Sequence, residues 1–173
     1  MKIVENNEYR DVAVEIAKVL DSKKAEEILL LNVSTLSNLT DWFVLATGLN
    51  GIHIKSLADE VEEKLQKKGV KLYRKEGVGD WIVLDFHYVI VHLFTAELRS
   101  YYHLEKLWND GKNTYTLPSI EKIMDKEKKQ AELKEKKTLE KEKKEAEIKE
   151  KQTLKNEQKT AKTKTEKTKV VKK

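Results

Sequence analysis

Residues 81–86 (WIVLDF) and 88–94 (YVIVHLF) are two apolar runs with a single residue, His87, between them. Each run is short and rich in β-branched and aromatic side chains, which marks a strand. A parallel connection needs a crossover of a dozen residues or more. One residue cannot supply it, so a tight turn or bulge falls at His87. That spacing commits the chain to a sheet containing at least one closely connected strand pair.

Other segments build around that pair. Residues 8–21 predict a helix, with Val12, Ile16, Val19 and Leu20 on one face and Ala13 and Ala17 beside them. Residues 26–33 (EEILLLNV) and 42–48 (WFVLATG) predict buried strands joined by the turn-rich segment 34–41, and Trp42 belongs to the core. Residues 51–68 carry the clearest helical pattern, in Ile54, Leu57, Ala58, Val61 and Leu65. Asn50 is placed to cap its start and Gly69 its end. Residues 70–75 predict a strand, 76–80 (EGVGD) a turn, and 95–109 a third helix stopped by Gly111. The order α-β-β-α-β-β-β-α has links too short for an all-parallel sheet. It predicts an α/β domain with a mixed sheet of about five strands covered by helices.

The charge is unevenly distributed. Residues 1–120 carry 15 Lys and Arg against 18 Asp and Glu, whereas residues 121–173 carry 20 Lys against 12 acidic residues. We therefore expect a domain over 1–118 and a Lys/Glu-rich tail over 119–173. Within the tail, Asp125/Lys129, Glu132/Lys136, Glu140/Lys144, Glu145/Lys149 and Glu147/Lys151 are helix-stabilising pairs, each contributing about 0.2–0.5 kcal/mol. Its sparse apolar residues keep no heptad, which argues against a coiled coil. The expectation is a solvated helix over 121–154 and disorder from 158. A basic tail suits nonspecific contact with a polyanion such as RNA, or none at all. With no cysteine, thiolate catalysis, disulfides and Cys-ligated zinc are excluded. No apolar run of about 18 residues spans a membrane. The N-terminal MKIVENNEYRD has neither a signal core nor transit-peptide character, so a cytoplasmic location is expected.

Four blocks then occur in order: LNVSTLSNLTDWFVLATG (31–48), IHIKSLADEVEEKL (52–65), KEGVGDWIVLDFHYVIVHLF (75–94) and RSYYHLEKLW (99–108). Together they make residues 25–112 closely resemble the ribosomal silencing factor (Iojap-like) family. The resemblance implies a domain related to nucleotidyltransferases without their chemistry. It implies binding to the large ribosomal subunit through ribosomal protein fourteen, a steric block to small-subunit joining, and repression of translation when nutrients are scarce. It also implies that free copies can be homodimers. Two features depart from the family pattern. His87-Tyr88 stands where the family usually has Gly-Asp, and the Glu76-Gly77 turn is followed by a short loop. The tail after about residue 118 has no counterpart in these motifs.

Candidate chemistry is thin. Asp41, Asp80 and Asp85 lack the tight D-x-D or D-x-E pair and the Gly-Ser loop of phosphoryl transfer, and Asp41 is better placed to cap the 34–41 turn. The histidines His53, His87, His92 and His103 form no converging ligand set, so neither metal nor cofactor is expected. In the third helix Leu98, Tyr101, Leu104 and Trp108 trace one stripe, and Tyr102 and Leu107 exceed a single core-facing face. Such a helix is either deeply buried or has a second partner. With the resemblance, the ribosomal-protein-binding set is Trp81, Asp85, His92, Phe94, Arg99, Tyr101, Tyr102, Leu104, Leu107 and Trp108. The reading is a non-enzymatic binding module. A nucleotidyltransferase-like enzyme and a tail-driven RNA-binding protein are the alternatives.

Overall fold

The computed structural model describes residues 7–170, with side chains from Tyr9 to Glu145. It divides into two compact units, residues 1–123 and 124–173. In the first unit the elements run α1 (Asn7–Ser22), β1 (Glu26–Asn32), β2 (Trp42–Gly48), α2 (Gly51–Lys67), β3 (Arg74–Glu76), β4 (Trp81–Asp85), β5 (Val89–Thr95), α3 (Ala96–Tyr102), α4 (Leu104–Trp108) and β6 (Thr114–Tyr115). A long helix, α5 (Leu117–Val170), begins there and makes up the described part of the second unit.

Six strands form one mixed sheet in the order β3-β4-β5-β2-β1-β6. Only β2 and β5 are parallel; the other neighbours run antiparallel. The reversal at His87 is a tight turn. The Phe86 N–H donates to the Val89 carbonyl at 2.9 Å, and His87 sits at φ 76°. The Asp85 carboxylate stabilises that turn by accepting the His87 N–H at 2.7 Å.

Side chains alternate across the sheet because successive residues of a strand face opposite ways. One face carries Leu30, Val44, Ala46, Ile82, Leu84, Val91 and Leu93, all buried. Helices α1 and α2 cover it, packing on each other and on β1, β2, β4 and β5. Helix α1 contributes Ala13, Ile16, Ala17 and Leu20; α2 contributes Ile54, Leu57, Ala58, Val61 and Leu65. Asn50 caps α2 as the sequence predicts, its side chain accepting the His53 N–H at 2.9 Å. Gly69 follows at φ 80°. The opposite face is built on Leu31, Val33, Phe43, Leu45, Ile90 and Phe94.

Four elements differ from the sequence expectation. The third strand is only Arg74–Glu76, because 70–73 lack ladder partners on both sides and Tyr73 bonds the Asp85 carbonyl alone. Strand β6 goes unforeseen, since two polar residues carry no periodicity; it pairs Thr114 and Tyr115 with Leu31 and Leu30. The third helix breaks at His103, which is left-handed (φ 47°, ψ 45°) and splits 95–109 into α3 and α4. Helix α5 also continues to Val170, past residue 158, where disorder was expected. No glycine or proline follows Pro118 to stop it. Residues 171–173 lie outside the described residues.

Among the described residues, the buried core ends at Ile120. A chain truncated after Ile123 should therefore keep its cooperative melt, with Tm within about 4 °C of the full chain, the shift that ~1 kcal/mol produces in a domain of this size. Differential scanning calorimetry checks this.

Candidate functional site

The second face of the sheet is only partly covered. Trp81, Val83 and Asp85 alternate along β4 and His92 faces Val83 on β5, and all four are half-buried. Their strand neighbours Ile82, Leu84, Val91 and Leu93 are buried under α1 and α2. On this face Leu98, Leu104 and Trp108 lie against the Phe43 and Phe94 cluster. Helices α3 and α4 are too short to roof the whole surface, so β4 stays at its open edge.

A chain of rings runs from the sheet onto the helices. Trp108 meets Phe43 at 5.4 Å between centroids, Phe43 meets His92 at 5.5 Å, and His92 meets Trp81 at 6.0 Å. Trp81 continues to Tyr102 at 4.9 Å, and Tyr102 to Tyr101 at 5.0 Å, edge to face. The outer members are open to solvent, Tyr101 77% exposed and Tyr102 47%, and Leu107 of α4 is 72% exposed. Large exposed aromatic and aliphatic side chains grouped on one surface mark an interaction site. Two buried polar atoms within the ring chain, Trp81 Nε1 and His92 Nδ1, have no hydrogen-bond partner among the described residues.

The structure sorts the sequence-derived set. Trp81, His92, Tyr101, Tyr102, Leu104 and Trp108 are brought together, Leu104 and Trp108 as the supporting inner layer, and Leu107 is exposed on α4. Asp85 lies on the same face but at the far end of β4, four residues from Trp81, or about 13 Å at the usual strand rise. Phe94 and Arg99, expected as surface contacts, are corrected to interior positions. Phe94 is fully buried beneath Trp81 and α3, and Arg99 is 4% exposed. The Arg99 guanidinium is engaged within the domain, donating to the Glu27 carbonyl, the Thr47 hydroxyl and the Glu105 carboxylate. Phe43 and Glu105 are site-forming residues the sequence reading missed. The first looked like ordinary core in an unbroken apolar run. The second was one acidic residue on a helix taken as continuous.

The acidic residues do not assemble a catalytic pair. Asp41 precedes β2 and Asp85 ends β4, with β5 between them, so two strand spacings of about 4.8 Å separate them. Asp41 holds its loop through the main chain, not through the side chain as expected. Its N–H donates to the Tyr88 carbonyl and its carbonyl accepts from Val33. The side-chain caps of that loop are Asn32 and Ser37. Burial raises the Asp41 carboxyl above the ordinary value. Among the described residues, no group of three His, Asp or Glu side chains is placed to hold a metal ion. None of the described helices is long and apolar enough to cross a membrane.

The His87-Tyr88 pair has a local physical account. A glycine adopts positive φ freely, and His87 must adopt it here with Asp85 as its brace. Tyr88 stacks on Tyr9 of α1 at 3.8 Å, and His87 lies 5.3 Å from Tyr73. Both residues sit at the turn end of the β4-β5 hairpin, so the ring chain around Trp81, at the opposite end, is left unaltered.

His92 predicts a pH dependence. Burial lowers its pKa from 6.5 to about 4, so the folded state keeps it neutral. Between those values the unfolded chain binds the proton that the folded chain refuses, and stability falls as pH drops through that window. His92→Phe should flatten the decline in Tm between pH 6.5 and 4 relative to wild type, as measured by thermal melts across that range.

Known proteins resemble this chain in sequence and in fold. The family model described as ribosomal silencing factor during starvation matches residues 6–171, so it runs through the tail that the sequence motifs left without a counterpart. Ribosomal silencing factor RsfS of Halalkalibacterium halodurans is 34% identical over 108 residues, covering 61% of this chain and 90% of the relative. The Bacillus subtilis RsfS is 34% identical over 97 residues, covering 55% of this chain and 82% of the relative. A crystal structure of a Chromobacterium violaceum protein superposes with a TM-score of 0.54 at 34% identity, covering 62% of this chain and 87% of that one. With the motif blocks, the mixed sheet and the family match in agreement, the chain belongs to the ribosomal silencing factor family.

Proposed function

We propose that this chain binds the large ribosomal subunit through ribosomal protein fourteen and blocks joining of the small subunit, repressing translation when nutrients are scarce. Membership of the family supports the general role. The observation that carries the specific surface is the exposed pair Tyr101 and Tyr102, backed by the half-buried Trp81 and with Leu107 exposed on α4, on a sheet face its own helices leave half open. Such side chains dominate binding energy at protein interfaces. The action is steric and needs no turnover, and its place is the cytoplasm. Off the ribosome, free copies form a homodimer.

The tail contributes separately. Residues 121–173 carry 20 Lys against 12 acidic residues, which suits nonspecific attraction to ribosomal RNA. The domain confers recognition and the tail adds salt-dependent affinity.

Co-sedimentation with large subunits tests both statements. Trp81→Ala/Tyr102→Ala should weaken binding by about tenfold or more, since truncating a hot-spot aromatic costs on the order of 2 kcal/mol. It should also restore subunit joining. Deleting 124–173 should leave binding at low salt and reduce the steepness of its salt dependence. Retained affinity in the double variant, or loss of all binding on deleting the tail, would overturn the reading.

A further inference from the structure

We propose that Arg99 is a positioning residue: by bonding Glu105 across the break at His103, it holds the α3-α4 elbow in the one arrangement that presents Tyr101, Tyr102 and Leu107 together. The inference rests on the docking surface proposed above and assigns it an internal support.

The geometry of the helix break carries the argument. Arg99 and Glu105 are six residues apart. In a continuous helix they would lie about 120° apart around the axis and roughly 9 Å apart along it, out of reach of a direct bond. Here Arg99 Nε donates to Glu105 Oε1 at 3.1 Å. That contact exists because His103 turns left-handed, ending α3 with its own N–H on the Arg99 carbonyl and restarting the chain as α4. A left-handed conformation is unfavourable for a residue with a side chain, so the elbow needs an offsetting contact. Helix α4 is only Leu104–Trp108, too short to persist by itself.

The guanidinium is anchored on its other side to the sheet. One nitrogen, Nη1, donates to the Glu27 carbonyl at 2.7 Å and to Thr47 Oγ1 at 2.9 Å. The Glu27 carbonyl is available because β1 bulges there, with Glu27 at φ 47° and the register shifting between Glu26 and Leu29. The same guanidinium lies over the Phe94 ring at 5.6 Å. One buried cation thus joins β1, β2, α3 and α4. A lysine carries the charge but not the planar set of donors that reaches all of them. Removing one partner of a buried ion pair leaves the other uncompensated, so the elbow cannot relax into an equivalent packing.

The test uses the full chain with Arg99→Met, Arg99→Lys, Glu105→Gln and the Arg99→Met/Glu105→Gln double variant, read by amide hydrogen exchange and by co-sedimentation with large subunits. Arg99→Met should speed exchange over 103–108 by about tenfold or more while amides of β2, β5 and α2 keep their protection, the signature of local and not global opening. Subunit affinity should fall by a similar factor, with Arg99→Lys intermediate. The double variant should lose no more than about twofold beyond Arg99→Met, because Glu105 already lacks its Arg99 partner in the single variant. Unchanged exchange over 103–108, faster exchange spread evenly over the whole sheet, or additive losses in the double variant would each overturn the proposal. If the wild-type chain itself fails to co-sediment, the docking reading falls, and the exchange experiment still decides whether Arg99 holds the elbow.

Discussion

Strands β2 and β5 lie side by side and parallel over seven residue pairs, from Trp42 with Val89 to Gly48 with Thr95. Strand β2 is buried from end to end, and β5 is buried except at His92 and Thr95. Parallel neighbours cannot be joined directly, so the forty residues between them must leave one face and return. They do so through α2 on the covered face, then through β3 and β4, which extend the sheet beyond β5. The pairing therefore decides where everything else goes. It places the hairpin reversal at one end of β5 and releases the chain at the other end, straight into α3. The docking face is what remains after that routing.

The elbow completes it. A single helix over 95–109 could lay one stripe on the sheet and would point the rest of its apolar residues around its circumference. Breaking at His103 lets Leu98, Leu104 and Trp108 all pack inward on Phe43 and Phe94 while Tyr101, Tyr102 and Leu107 face outward. The ring chain from Trp108 to Tyr101 spans both helices and both central strands, so the outer aromatics are held by the inner ones.

Much of this was legible in the residues. Regular periodicity located α1, α2, β1, β2, β4 and β5, and the capping roles of Asn50 and Gly69 followed from local chemistry that tertiary context did not override. The single residue between two apolar runs was enough to place the β4-β5 turn. The rest depended on contacts distant in sequence. Arg99 reads as a surface charge because its acceptors, Glu27 and Thr47, lie 72 and 52 residues away. The break at His103 has no glycine or proline to announce it. Phe94 sits in an alternating strand whose exposed partner is on β4, so its burial under Trp81 is invisible without the register. Strand β6 is two residues long and leaves no pattern to find.

The sheet ends on both sides in minimal strands, Arg74–Glu76 with every residue exposed and Thr114–Tyr115. An unpaired edge that short, one of them with charges at all three positions, gives an incoming chain almost no main-chain ladder to extend. Recognition by strand addition, which tolerates many sequences because backbones are alike, is closed to this fold. What remains is reading by side-chain shape on the open face. The fold gains its selectivity from how little edge it exposes.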